Sequence, residues 1–137
     1  MTEGVITIIV ALITYAIMVA AYFLAKKSRR LHINLMSAVM IFDLLIPVYL
    51  FMRRDWFTRL IEHEDILTFG VWMHFFVVLV LYVLYIFQII AARKMLRGED
   101  SEKARAEHRA QAIGILVIRA FVILTGIMIY DSQYLLD

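Results

Sequence analysis

The chain has 137 residues, 64% of them hydrophobic, a mean hydropathy of +0.82 and a formal charge of +2. A soluble domain of this size could not cover itself with so little polar surface, so the composition points to an integral membrane protein and away from nucleic-acid binding. It contains no cysteine, which excludes disulfides, iron–sulfur clusters, thiolate zinc sites, covalent haem attachment and cysteine nucleophiles, and leaves histidine, methionine and carboxylates as ligands.

Four apolar runs are long enough to cross about 30 Å of hydrocarbon, which takes about 20 helical residues. They are Val5–Ala25, Leu31–Met52, Ile66–Ala92 and Ala112–Tyr130. The runs are continuously apolar rather than alternating, which speaks against a barrel. The first begins MTEGVITIIV, has no basic n-region and reads as a retained span rather than a cleaved signal. Beyond Thr7, Thr14, Tyr15 and Tyr22 it carries little polarity, and it reads as packing, with Ala11, Ala16, Ala20 and Ala21 allowing close helix approach.

The second run carries His32, Met36, Met40, Asp43 and Pro47 on one helical side. A carboxylate is not tolerated against lipid, so this stripe is expected to face protein or trapped water. The connection that follows, RRDWFTRLIEHED, groups Trp56, Phe57, Leu60 and Ile61 on one side, which predicts a short interfacial helix over about 54–62 or a simple aromatic anchor. The third run has a polar side made of His74, Tyr85 and Gln88, and Gly98 is expected to end its helix. The stretch RGEDSEKARAEHRAQ predicts a polar turn and then a helical extension leading into the fourth run, which carries Arg119.

Basic residues cluster in the first connection (Lys26, Lys27, Arg29, Arg30) and the third (Arg93, Lys94, Arg97, Lys103, Arg105, Arg109), while the middle one mixes signs. The positive-inside rule then places these two connections in the cytoplasm and both termini outside. The expectation is a single all-α domain, an integral membrane antiparallel four-helix bundle.

Helical rise puts Asp43 about 18 Å from the cytoplasmic end and His74 about 12 Å below the outer surface, depths that coincide. Asp43 could therefore meet His74, bond its Nδ1–H and leave Nε2 for a metal or a proton. Arg119 could reach Asp43 as well, and an Asp43–Arg119 ion pair would account for both charges without chemistry. Asp43, His74 and Arg119 are thus read as one buried polar network. The four histidines fall on two levels: His32 with His108 inside, and His74 with Asp43 or His63 outside. Paired histidines on facing helices suit a b-type haem or a copper or zinc ion. Met36 and Met40 read as core, with soft-metal contact as the alternative.

The pattern His32-x-x-x-Met36 after a KK/RR turn, His74 in the third span, EHRAQ around His108 and the ending TGIMIY, Thr125 to Tyr130, resembles the small CtaM/YozB-type membrane proteins, over roughly residues 25–131. The resemblance implies a part in building haem–copper terminal oxidases by handling haem or copper, with His32, His63, His74 and His108 as ligands. It also implies other oxidase or respiratory-complex subunits as partners, and the cytoplasmic (inner) membrane of a prokaryote as location.

Four readings follow. The first is a cofactor-handling assembly protein, not an enzyme, that binds haem or a transition metal. The second is an electron-transfer cytochrome, or small respiratory subunit, holding haem b. The third is a structural subunit without cofactor. The fourth, a proton path through Asp43, His74 and Arg119, has few polar residues between His74 and the outer surface to support it.

Overall fold

Hydrocarbon offers no partner to a backbone N–H or C=O, so each spanning segment must satisfy its own backbone as a helix. The computed structural model describes residues 3–53, 66–98 and 102–134. Within them lie four helices: α1 (Glu3–Leu24), α2 (Arg29–Arg53), α3 (Ile66–Leu96) and α4 (Glu102–Tyr134). Each is long and apolar enough to cross a membrane. The chain is a multi-pass, all-α four-helix bundle. The proposed interfacial helix over 54–62, and His63 with it, lies outside the described residues.

The helices extend beyond the apolar runs because polar residues supply good ends. Ser28 caps α2: its Oγ accepts the Leu31 N–H at 3.3 Å and its carbonyl accepts the His32 N–H at 3.0 Å. α3 ends as expected near Gly98, whose φ of +85° places it in the left-handed region that glycine enters without a Cβ clash. The Gly98 N–H donates to the Met95 carbonyl at 3.3 Å, giving one of the last carbonyls a partner. α4 starts at Glu102, a whole polar extension ahead of Ala112, with the acidic Glu102 in its first turn.

α3 packs along α4, and α1 packs on both α2 and α4. Inward positions on α3 (Val71, His74, Val78, Leu81, Tyr85, Gln88) and α4 (Ala104, His108, Gln111, Ile115, Arg119) recur at intervals of three and four, the seam of a left-handed bundle. Much of the bundle's outer surface is apolar, with Phe23, Leu44, Leu45, Phe76 and Phe87 exposed, whereas Gln88, Arg119 and Thr125 are buried. That arrangement suits lipid as the solvent. Of the four alanines expected to bring α1 close to its neighbours, Ala21 is fully buried, whereas Ala16 and Ala20 are exposed. Close approach is confined to the side of α1 that carries Met18 and Ala21, since Ala16 and Ala20 lie on other faces.

Candidate functional site

The polar side chains inside the bundle fall on three levels. At the middle level the expected Asp43–Arg119 pair is formed: Arg119 Nη2 donates to Asp43 Oδ1 at 2.8 Å, with Arg119 only 4% exposed. The same nitrogen donates to Thr14 Oγ1 at 2.8 Å, and Thr14 donates to the Ala11 carbonyl at 3.0 Å. The Tyr85 hydroxyl donates to Asp43 Oδ2. The ion pair and its two hydroxyl partners therefore tie all four helices together. α1, expected to act only as packing, supplies Thr14 to this level, and its Tyr15 hydroxyl donates to the Leu116 carbonyl at 3.2 Å.

Pro47 explains a further bond. It has no N–H, so the carbonyl four residues before it, that of Asp43, lacks its helical partner. The Tyr82 hydroxyl from α3 donates to that carbonyl at 2.9 Å. Tyr82 thus replaces a backbone donor that proline removed, and α2 continues through Pro47 without a break in its helix.

At the level farthest from the two basic connections the structure corrects the expected Asp43–His74 bond. Asp43 is occupied by Arg119 and Tyr85, and His74 Nδ1 lies 2.7 Å from Thr125 Oγ1 instead. Thr125 has one hydroxyl hydrogen, which it donates back along α4 to the Phe121 carbonyl at 2.8 Å or the Val122 carbonyl at 3.1 Å. Its oxygen must then accept from His74, which fixes the hydrogen on Nδ1. Gly126 lies beside this ring, where an added Cβ would make ordinary contact with His74 Cε1 at 3.6 Å.

The third level lies at the end of the bundle carrying the two basic connections. Here His32 of α2 and His108 of α4 stand together as expected, with ring centroids 6.5 Å apart and planes at 74°. His32 Nδ1 lies 2.7 Å from the Ala21 carbonyl, in the last turn of α1 where helical partners run out. A carbonyl can only accept, so Nδ1 carries the hydrogen and Nε2 is the free nitrogen. His108 Nε2 meets the Gln88 side-chain amide at 3.4 Å, and its Nδ1 is buried without a partner. The side-chain oxygens of Gln88 and Gln111 are also buried and unpartnered.

Between this level and the middle one, Met18, Val39 and Ile115 are buried, with Met36 and Met40 packed against them. These apolar side chains lie between the basic-end histidines and the Asp43–Arg119 pair. Among the described residues, no three His, Cys, Asp or Glu side chains are grouped to hold a metal ion. What the structure brings together is a histidine pair flanked by glutamines.

Compared with known proteins, the chain matches no family model, curated protein or solved structure. The class that fold and site define is a multi-pass, four-helix membrane protein with a buried ion pair at its middle and a histidine pair at its basic end.

Proposed function

We propose that this protein is a membrane-embedded cofactor-handling bundle that binds haem or a transition metal through His32 and His108. We further propose that it serves the assembly of a haem–copper respiratory oxidase in the cytoplasmic membrane of a prokaryote, with its basic end toward the cytoplasm. The observation that carries the binding half is the His32–His108 pair. Its rings come from different helices to within 6.5 Å of one another, and His32 is oriented by a carbonyl that leaves Nε2 free. An acceptor bonded to one ring nitrogen is the usual support for a histidine that ligates through the other. A metal or haem iron bound there would supply redox or ligand-exchange chemistry. The chain's own residues hold and orient the two imidazoles. The assembly half is supported by the sequence resemblance alone, which also suggests other oxidase subunits as partners.

The test is a deletion strain complemented with wild-type or variant chains, read by terminal-oxidase activity at matched protein levels. The proposal expects His32→Ala and His108→Ala to lose complementation. Full complementation by both would remove the cofactor role. An electron-transfer cytochrome is the alternative within the same site, and a stoichiometric, reversibly reducible low-spin haem spectrum would favour it.

A second reading has its own observation. The Asp43–Arg119 pair, bound also by Thr14 and Tyr85, locks four helices in register, which is all a structural subunit needs. That reading expects the histidine variants to complement fully and Asp43→Asn to lower the amount of assembled protein.

A further inference from the structure

The four helices close only part of the way round the bundle. α3 packs along α4, and α1 on both α2 and α4, whereas α2 and α3 are not packed closely on one another. Side chains span their seam: the Tyr82 hydroxyl bonds the Asp43 carbonyl and the Tyr85 hydroxyl the Asp43 carboxylate. An unfilled apolar seam forfeits contacts along its whole lining, so in a bilayer a lipid chain fills it. We propose that this seam binds one anionic phospholipid, with the headgroup phosphate between Arg29 and Arg93 and an acyl chain lying along α3 over Ile86 and Ile89. The proposal is independent of any cofactor at His32 and His108.

Helical register carries both sides of the seam down to a cation. Arg93 follows Tyr82 by eleven residues, about three turns, so it stands on the side of α3 that reaches Asp43. Between them on that side lie Ile86 and Ile89, 57% and 46% exposed. On α2, Arg29 precedes Asp43 by fourteen residues, about four turns, and shares its side to within about 40°. Counted from the level where Tyr82 meets Asp43, Arg29 lies about 21 Å and Arg93 about 17 Å toward the basic end. The two are thus within one helical turn of each other in depth. Both are exposed, and among the described residues neither is engaged by a carboxylate.

Charge selects the headgroup, and the apolar surface beside it selects a lipid. α3 carries no acidic residue along its length, and α2 carries only Asp43, which is committed to Arg119. Arg30 and Lys94, next in sequence to the two arginines, are exposed as well. The mouth of the seam is therefore positive, and neither helix supplies a free carboxylate to cancel it. A guanidinium meets a phosphate with parallel N–H donors, and basic mouths between spanning helices are where anionic headgroups bind. The positive-inside bias is satisfied by cations anywhere in a connection; it does not require two arginines at matching depth on the two sides of one open seam. Ile89 lies one turn inside Arg93, so an acyl chain follows directly from a phosphate held there. A soluble acidic peptide would leave the Ile86–Ile89 stripe uncovered, whereas an anionic phospholipid covers stripe and charge together.

The experiment is native mass spectrometry of the full-length protein in neutral detergent, offered equal amounts of phosphatidylglycerol and phosphatidylcholine with the same acyl chains. The expected result is one phosphatidylglycerol retained per chain, with about tenfold preference over phosphatidylcholine. Arg29→Gln with Arg93→Gln should cut that preference to about twofold or less. Lys27→Gln with Arg97→Gln removes the same charge from the same end and should leave the preference within about twofold of the wild type. Ile86→Ser with Ile89→Ser should weaken retention of either lipid about tenfold. The wild-type preference stands as evidence even where a variant fails to fold. Equal retention of the two lipids by the wild type would overturn the proposal and leave the seam to a partner helix. Equal losses in the two charge-removing pairs would reduce it to diffuse attraction and overturn the site. Displacement of the lipid by an equal concentration of inorganic phosphate would make this a site for the free anion and overturn the assignment to a lipid.

Discussion

At the scale of single residues, the most instructive position is Pro47. A proline inside a spanning helix ordinarily costs a backbone hydrogen bond and leaves a carbonyl facing an apolar interior. Here the Tyr82 hydroxyl takes the Asp43 carbonyl at 2.9 Å. The consequence is a coupling that a double-mutant cycle can measure. Tyr82→Phe should destabilise the bundle by about 1 kcal/mol, the net worth of a hydrogen bond to a neutral acceptor. In a Pro47→Ala background the helix supplies its own N–H to that carbonyl, and the same change should cost markedly less. Equal costs in the two backgrounds, read from unfolding in mild detergent, would show that Tyr82 does not compensate for Pro47.

Residue by residue, the sequence showed the polar groups more clearly than their pairing. Asp43 and Arg119 were legible because charges inside apolar runs must find each other, and helical rise put them within reach. The polar side of α3 was legible from spacing alone, since His74, Tyr85 and Gln88 recur at helical intervals. Pairing across helices depends on how each helix is rotated about its axis, and depth does not give that. So Asp43 and His74 share a depth yet take different partners, and Thr125 was missed as the acceptor for His74. Tyr82 had a signal that went unread: a proline frees the carbonyl four residues earlier and predicts a donor opposite it. Thr14 had none, because a threonine in an apolar helix more often bonds its own backbone, as Thr14 also does.

At the scale of elements, α2 packs closely on α1 but meets α3 and α4 chiefly through side chains. The carboxylate of Asp43 therefore carries much of what ties α2 to α3 and α4. Removing one partner of a buried pair leaves the other charge uncompensated, at a cost of about 3–5 kcal/mol. Asp43→Asn and Arg119→Leu are each expected to lower the detergent unfolding midpoint sharply. The combination Asp43→Leu with Arg119→Leu should recover a large part of the loss, because no lone charge remains. A double variant as unstable as the sum of its parts would mean that hydrogen bonds to Thr14 and Tyr85, rather than charge, carry the level. Element existence was legible throughout, since four apolar runs of spanning length leave a membrane chain few alternatives. The ends were less so: α4 starts ten residues before its apolar run because EKARAEHRAQ is made of helix formers that hydropathy does not count.

At the scale of the whole molecule, three polar levels inside an apolar sheath divide the labour. The middle level holds the helices in register, and the apolar layer of Met18, Val39 and Ile115 separates it from the basic end. That separation argues against a continuous proton path from His108 to Arg119. It also means that variants at the histidine pair and at the ion pair, lying in different layers, should combine additively. Orientation can be checked cleanly because the chain contains no cysteine. A cysteine at Lys27, exposed beside the first basic turn, should react with a membrane-impermeant maleimide only after the membrane is opened. Reaction in intact cells would invert the bundle and put the histidine pair on the outer side.

The central claim is that His32 and His108 together form a cofactor site. The most direct measurement is the metal and haem content per chain of protein purified from its membrane, for the wild type, the His32→Ala/His108→Ala double variant and His74→Ala. The account predicts about one bound cofactor in the wild type and in His74→Ala, and none in the folded double variant. A wild type carrying neither metal nor haem, or a double variant that keeps its full complement, would contradict it.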